Sequence, residues 1–597
     1  MILDYPFSGT EILENKKALR RELLADGSKR MEKRIAVLGG STTSDFCKLL
    51  ELFLLKEGIQ PVFYQSEYAQ YWNDALFPPE ELSSFRPDVV YIHTSFRNLS
   101  PWLPSPSCTP DDCDGLVRQA YAHFETMWKH LSETFHCPVI QNNFEYPGYR
   151  LMGNRDAWDR RGQVRFVQTL NGLFADYAET HDAFYLADLN YVSACYGLDR
   201  WLDDSVWYLY KIACALDALP HWAYNTARIV KSLFGRNKKV LALDLDNTLW
   251  GGVIGDDGVD GIELGSETAT GECFLAFQKY LKAQKDIGIM LTVASKNDLQ
   301  NALDGLNHPD GALKPDDFIV IKANWETKDR NLSETAAQMD LGIDSFVFAD
   351  DNPTERALVK SSLPSVSVPE LNDPYTYIRT LDHAGFFETT VFSEDDVKRN
   401  AMYKANAERA VLQESFTDYT EYLLSLDMKA DIFPFPEVYI QRIMQLTNKS
   451  NQFNLTTRRY TEEEIRAVSA DPDHICLYGK LWDKFGDNGV VAVTIGEIKG
   501  AELHIDLWLM SCRVLKKDME FAMLDTLVEN AKKKGVEALF GYYYPTAKNG
   551  MVRDLYRTFG FALVREDETG NTVWKLDCRS YEPKNHVIQV NGGENHD

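Results

Sequence analysis

Three short apolar runs of this sequence each lead directly into acidic or hydroxyl side chains, which can act as nucleophiles, exchange protons or bind a metal ion. Short apolar runs predict buried strands of a parallel sheet, and the carboxyl ends of such strands meet at one edge. We therefore expect the polar residues after the runs to lie together, where α/β proteins place their chemistry. The runs and the residues that follow them are 240–243 with Asp244 and Asp246, 289–294 with Ser295, and 346–349 with Asp350.

Asp244 and Asp246 are two carboxylates separated by a single residue. Like charges at that separation repel, so the pKa of one carboxyl group would rise without a cation nearby. A Mg²⁺ ion would keep Asp244 ionised as a nucleophile and leave Asp246 free to transfer a proton. The alternative interpretation is a strand that ends in an ordinary polar turn.

The polar loop 325–328 adds a lysine before the third run. This order resembles the haloacid dehalogenase (HAD) phosphotransferase superfamily, in which a hydroxyl and a lysine hold the transferring phosphoryl group. Phosphoryl transfer depends on positioning and on neutralising oxygen charge, which such residues can provide. The roles implied by the resemblance are Asp244 as nucleophile and metal ligand, Asp246 as general acid/base and metal ligand through its carbonyl, Ser295 and Lys328 as phosphoryl ligands, and Asp350 as a metal ligand supported by Asp351 or Asn352.

Longer stretches resemble one branch, the FkbH-like HAD proteins of subfamily IIIC. The matching segments are 244–258, 295–298, 324–328 and 348–356, and two further matching segments are 445–460 and 483–489. The resemblance implies dephosphorylation of 1,3-bisphosphoglycerate and transfer of the glyceryl group to the thiol of an acyl carrier protein. It also implies substrate-binding residues in these segments, namely Asn247, Thr248, Asn297 and Arg356, the last of which could equally serve the structure.

One departure from that branch concerns the thiol that would accept an acyl group. Many relatives carry a cysteine directly before Ser295, where this chain has Ala294. Cys273 is the remaining cysteine of the predicted domain, and its apolar context favours core packing. Two alternatives therefore stay open, a plain Mg²⁺-dependent phosphatase and a non-catalytic scaffold.

The fold class that we predict is a multidomain α/β protein with boundaries at 1–235, 236–393 and 394–597. Strand-like and helical segments alternate in the first domain, which predicts a doubly wound parallel sheet. Its turn at Gly39, Gly40 and Ser41 resembles the nucleophile turn of SGNH-type esterases, although the expected Asp-x-x-His near the domain end is absent. The HAD-like domain has room for only a minimal cap, with the loop 251–265 as a hairpin flap.

The third predicted domain resembles the GNAT acetyltransferase fold, an α+β architecture. Asn549 and Tyr556 match its Asn…Leu-Tyr-x-x-x-Gly-Phe ending and are expected to bind substrate. The loop 513–518 contains no glycine, although a pyrophosphate-binding loop needs close approach of backbone N–H groups. Coenzyme A binding is thereby weakened, and the phosphopantetheine arm of a carrier protein is a possible substitute. Cys512, beside that loop, could accept an acyl group or simply pack.

Composition limits the possible partners of the chain. The formal net charge of −26 over 597 residues argues against nucleic acid and against an anionic membrane surface. The N-terminus lacks the basic and apolar regions of a signal peptide, and no apolar stretch approaches the roughly 20 residues of a membrane span. We expect a cytoplasmic enzyme whose partners are a small phosphorylated acid and an acyl carrier protein.

Overall fold

The computed structural model describes residues 2–392, 394–413, 415–450, 452–511, 514–546 and 548–591. The chain forms two compact units, Met1–Arg236 with Glu388–Thr390, and Asn237–Phe387 with Val391–Asp597. Across these described ranges, every helix is too short or too polar to cross a bilayer. The domain boundaries given above stay predictions.

The first unit contains a five-stranded sheet whose strands all run parallel, as the sequence predicts. Its strands are β1 (Met31–Gly39), β2 (Ile59–Gln65), β3 (Val89–His93), β4 (Val139–Asn142) and β5 (Phe184–Ala187). They lie in the order β2-β1-β3-β4-β5. β2 is therefore added on one side of β1, and β3, β4 and β5 are added on its other side. The helices are α1 (Gly9–Ala25), α2 (Ser44–Lys56), α3 (Tyr71–Leu76), α4 (Glu80–Phe85), α5 (Pro110–Phe135), α6 (Gln163–Thr180), α7 (Leu189–Tyr196), α8 (Leu198–Trp201), α9 (Asp204–Tyr210) and α10 (Leu219–Leu233).

The first sheet of the second unit is a four-stranded parallel sheet. Its strands are β6 (Val240–Leu243), β7 (Met290–Ser295), β8 (Val320–Ala323) and β9 (Phe346–Ala349), in the order β8-β7-β6-β9. The strands are largely buried on both faces, which explains why their sequences are short and apolar throughout. The helices around this sheet are α11 (Ile254–Asp257), α12 (Ala269–Asp286), α13 (Leu299–Leu306), α14 (Lys328–Gln338), α15 (Pro353–Ser362) and α16 (Tyr377–His383).

The second sheet of this unit is mixed and mostly antiparallel. Its order is β15-β16-β14-β13-β12-β11-β10-β17, with parallel pairs at β13–β14 and β10–β17. The strands are β10 (Lys429–Pro434), β11 (His474–Asp483), β12 (Gly486–Lys499), β13 (Glu502–Met510), β14 (Ala538–Tyr543), β15 (Ala562–Glu566), β16 (Thr572–Asp577) and β17 (Gln589–Asn591). The helices are α17 (Glu394–Gln413), α18 (Tyr419–Ser425), α19 (Ile440–Lys449), α20 (Glu462–Ala470), α21 (Met519–Lys533) and α22 (Leu555–Thr558).

The loop 251–265 combines a short helix with a single antiparallel bridge. Gly251 and Glu263 exchange backbone hydrogen bonds of 3.0 and 2.8 Å, which closes the loop as the predicted hairpin requires. The four-residue helix α11 lies within it, a feature that the hairpin prediction missed. The loop therefore returns to the end of β6, close to Asp246.

Candidate active site

The predicted nucleophile and late acid lie side by side at the carboxyl edge of the parallel sheet in the second unit. Asp244 follows β6, and its backbone N–H donates to the carbonyl of Ala349, the last residue of β9, at 2.9 Å. Asp350 follows directly, and Ser295 ends the strand β7 on the other side of β6. The strand order thus brings together residues that are far apart in the sequence.

Lys328 connects the two acids. Its Nζ lies 2.7 Å from Oδ2 of Asp244 and 2.5 Å from Oδ2 of Asp350. All three side chains are buried. Burial alone would lower the pKa of the lysine, but the charges of Asp244 and Asp350 outweigh it and raise that pKa. The lysine therefore stays charged between the two carboxylates.

Asp244, Asp350 and Asp351 form a cluster suited to a hard cation. Their carboxylate oxygens lie within 4.8 Å of one another. Burial, followed by the charge of Asp244, raises the pKa of Asp350 to about 6 and also raises the pKa of Asp351. The three ligands are all carboxylate oxygens, and a cation would relieve the repulsion between them. Such a set of ligands fits Mg²⁺. Asp351 supplies a cluster carboxylate here, whereas the sequence predicted only a supporting role for it.

Asp246 lies beside this cluster and is held by three donors. Its Oδ1 accepts from Trp250 Nε1 at 2.9 Å and from the backbone N–H of Ile254 at 3.0 Å, and its Oδ2 accepts from Asn297 Nδ2 at 3.0 Å. Burial raises its pKa despite these donors. A fixed carboxyl group with a raised pKa is suited to transferring a proton. Metal binding through its carbonyl stays a prediction.

Three of the predicted substrate-binding side chains hold other parts of the site. Asn247 has a φ of 54° and accepts from the N–H of Gly252 at 3.0 Å, which shapes the turn after β6. Thr248 Oγ1 accepts from the N–H of Asp351 at 3.3 Å. Asn297 donates to Asp246 and accepts from the N–H of Asp298 at 2.9 Å. These contacts make the three residues positioning groups, and their contact with substrate stays a prediction.

Arg356 makes contacts that fit the structural role, one of the two roles that the sequence leaves open for it. The side chain is buried. Its NH1 donates to the carbonyls of Asp350, Asp351 and Leu371 at 2.9, 2.6 and 3.0 Å. The guanidinium therefore holds the backbone of the acidic loop, and contact of Arg356 with substrate stays a prediction.

Ser41, the predicted esterase nucleophile, has an imidazole partner in the first unit. Its Oγ lies 3.2 Å from Nδ1 of His93, the last residue of β3, and both side chains are buried. The histidine ring stacks on Trp222 at 4.1 Å between centroids. Burial lowers the pKa of His93 to about 3, which opposes the protonation that a general base requires. The pair was missed from the sequence because His93 lies on a strand, not in an Asp-x-x-His pattern.

Glu145, buried near the same sheet edge, should make stability depend on pH. Burial raises its pKa from 4.5 to about 7. As the pH rises from 4.5 to 7, the unfolded chain loses this proton and the folded chain keeps it, so stability falls and then levels off above pH 7. We expect Glu145→Gln to be more stable than the parent protein at pH 8 by roughly 3 kcal/mol, with little difference at pH 4.

Urea midpoints measured from pH 4 to 8 test this expectation. Glu133→Gln, which changes an exposed glutamate on α5, is the matched control and should leave the pH profile unchanged. Parallel profiles for the parent and for Glu145→Gln would show that Glu145 does not have a raised pKa.

Asn549 and Tyr556 contribute to the packing of the mixed sheet, and their contact with substrate stays a prediction. Asn549 is buried, and its Nδ2 donates to the carbonyls of Asn454 and Tyr544 at 2.9 Å each. Tyr556 is fully buried in the core, with its ring against Gly541 of β14. Cys512 and Arg513, the possible acyl acceptor and the start of the glycine-free loop, lie outside the described residues.

The segment 453–456 occupies the gap where β13 and β14 diverge. These strands pair only from Glu502 with Ala538 to Ile505 with Gly541. Beyond that point Leu455 donates to Trp508 at 3.1 Å and accepts from Tyr544 at 2.9 Å. The carbonyl of Trp508 and the N–H of Tyr544, which an extended ligand between these strands could use, are therefore already bonded. This observation weighs against coenzyme A or phosphopantetheine in that gap.

Comparison with known proteins relates the chain to one family of phosphatase-domain proteins. Residues 34–231 match the family described as FkbH, N-terminal domain. The solved N-terminal part of the protein BF1531 from Bacteroides fragilis, containing a phosphatase domain complexed with Mg, is 31% identical, with a TM-score of 0.59, and the match covers 63% of this chain and 99% of that one. No curated protein matches the chain.

Solved acetyltransferases match a smaller part of the chain. The ribosomal-protein-S18-alanine N-acetyltransferase of Escherichia coli is 13% identical over 26% of this chain and 99% of its own length, with a TM-score of 0.20. The PaiA N-acetyltransferase of Thermoplasma acidophilum, solved with coenzyme A, is 15% identical over 25% of this chain and 99% of its own length, with a TM-score of 0.20.

Proposed function

The chain belongs to the same family as the Bacteroides fragilis phosphatase-domain protein, and on that premise we propose that it is a Mg²⁺-dependent phosphatase of a small acyl phosphate. The observation that carries this proposal is the position of Lys328 between Asp244 and Asp350. Asp244, Asp350 and Asp351 would hold the ion. Bound there, Mg²⁺ supplies charge neutralisation for the phosphoryl oxygens.

The reaction follows from the placement of the side chains. A carboxylate oxygen of Asp244 attacks phosphorus, and the bond from phosphorus to the leaving oxygen breaks. Asp246 gives its proton to that oxygen and then takes a proton from water, whose oxygen displaces phosphate from Asp244. Lys328 and Ser295 hold the phosphoryl oxygens throughout.

Transfer of the acyl group to a thiol is a finer proposal that requires a different bond to break. A thiolate must attack the carbonyl carbon and expel intact phosphate, because cleavage at phosphorus releases a free carboxylate. The FkbH-like segments support this route, and their resemblance implies a carrier protein in the cytoplasm as the acceptor and the glyceryl group of 1,3-bisphosphoglycerate as one candidate acyl group. Cys273 is a poor internal acceptor, because burial raises the pKa of its thiol.

Isotope and mass measurements separate the two routes. The protein is incubated with acetyl phosphate or 1,3-bisphosphoglycerate, Mg²⁺ and carrier protein in ¹⁸O-water. We expect phosphate release that EDTA abolishes and excess Mg²⁺ restores, with ¹⁸O in the phosphate if Asp244 is the nucleophile. Unlabelled phosphate together with an acyl-sized mass gain on the carrier would indicate thiol transfer. Phosphate release that persists in EDTA would contradict the metal-dependent mechanism.

A further inference from the structure

Three exposed apolar side chains lie next to the candidate active site, and we refer to them as the apolar rim. They belong to Val253, Leu299 and Trp325, residues that are 39, 51 and 73% exposed. A single exposed apolar residue is ordinary on a protein surface. Three around one site are informative when each is connected to the catalytic residues.

Each residue of the apolar rim is adjacent in the chain to a group that holds the site. Val253 precedes Ile254, whose N–H donates to Asp246 at 3.0 Å. Leu299 begins α13, two residues after Asn297, which also donates to Asp246. Trp325 lies three residues before Lys328, the first residue of α14. The apolar rim therefore lies on three separate segments, each of which carries a residue of the candidate site.

The indole of Trp325 is fixed although it is exposed. Its Nε1 donates to Oδ1 of Asp298 at 3.1 Å, which joins the loop after β7 to the loop before α14. Asn324, the preceding residue, exchanges side-chain hydrogen bonds of 3.1 and 2.8 Å with Asn331 on α14. An aromatic face held in this way loses little conformational entropy when a ligand packs on it.

The cations that flank the apolar rim in the sequence are already paired with acids. Lys296 Nζ lies 2.6 Å from Glu355, and Arg330 NH1 lies 3.0 Å from Glu326. A second phosphate at this position would thus meet no unpaired cation from these two residues. An apolar group, in contrast, would gain from leaving water against the rim.

We propose that the apolar rim binds the organic part of the phosphate substrate and that this part is uncharged, with an aromatic or branched apolar face. The inference rests on the proposed function and narrows its substrate class. Within the acyl phosphates, the rim favours an apolar acyl group over the phosphorylated glyceryl group of 1,3-bisphosphoglycerate. Trp325 supplies most of the contact area, because it is the largest and most exposed of the three side chains.

Binding of two phosphonates tests the proposal without turnover. Dissociation constants of phenylphosphonate and methylphosphonate are measured calorimetrically with Mg²⁺ for the full chain and for Trp325→Ala. We expect the parent protein to bind the phenyl compound about tenfold more tightly than the methyl compound. Trp325→Ala should bind both alike, with methylphosphonate affinity unchanged. Trp325→Phe should keep part of the preference.

Trp158→Ala is the matched control, since this tryptophan of the first unit is similarly exposed at 65%. It should keep the tenfold preference. The proposal is overturned if Trp325→Ala keeps the preference, if it weakens both ligands equally, or if the parent protein has no preference. Benzoyl phosphate and acetyl phosphate then test turnover separately. A phenyl preference without hydrolysis would refute the proposed function and leave the rim assignment standing.

Discussion

Replacing Asp244 by asparagine is expected to lower the rate of phosphate release from an acyl phosphate at least a thousandfold. The amide cannot attack phosphorus, and it removes one of the two negative charges that face Lys328 at 2.7 and 2.5 Å. Asparagine has nearly the same shape, and Lys328 keeps Asp350 as a partner, so the fold should persist. Phosphate release is measured with saturating Mg²⁺, and the thermal midpoint is recorded for the same preparation.

Asp260→Asn provides the control for this experiment. Asp260 is an exposed acid in the loop 251–265, and its replacement changes the net charge by the same amount. Its rate should remain within about twofold of the parent protein, as for most surface substitutions. If Asp244→Asn retained the parental rate, the nucleophile would have to be another group, and the phosphatase mechanism proposed above would be wrong.

The sequence predicted the strands that lead into the candidate site, because short and fully apolar runs are typical of buried strands in a parallel sheet. Residues 240–243 and 346–349 are buried throughout, and both are followed directly by acids. Parallel pairing then forces Asp244 and Asp350 to the same edge, independently of the 105 intervening positions. For this part of the site, the positions of Asp244 and Asp350 in the fold are therefore those that the apolar runs of the sequence predict.

Roles that depend on tertiary contacts could not be predicted in the same way. The resemblance places Arg356 in a motif, but it does not show whether the guanidinium contacts a ligand or the carbonyls of a loop. Asn549 is a similar case, because its partner Asn454 lies in a segment that packs between two strands. The pair of Ser41 and His93 was missed because adjacent strands bring together residues with no fixed spacing.

Lys328→Met is expected to destabilise the metal-free protein by about 3 kcal/mol, and it should lower the rate of phosphate release by about a hundredfold or more. The substitution leaves the buried carboxylates of Asp244 and Asp350 facing one another without their shared cation. Methionine retains much of the apolar stem, so the loss reports on the missing charge. Lys322→Met serves as the control, because its pair with Glu334 at 3.2 Å is partly exposed and should contribute about 1 kcal/mol or less.

Mg²⁺ should reverse most of the stability loss in Lys328→Met without restoring activity. The carboxylate cluster becomes more negative when the lysine is removed, so it should bind the ion more tightly. Because an ion that binds only the folded state raises stability by RT ln(1 + c/Kd), where c is the free Mg²⁺ concentration, tighter binding should raise the thermal midpoint further in the variant than in the parent protein. Equal shifts in the two proteins would mean that Asp244 and Asp350 do not share a metal site. A larger shift in the variant would indicate that Lys328 takes the place of the ion's charge in the metal-free protein. Activity that stays lost in the same variant would indicate that Lys328 also binds phosphoryl oxygens during turnover.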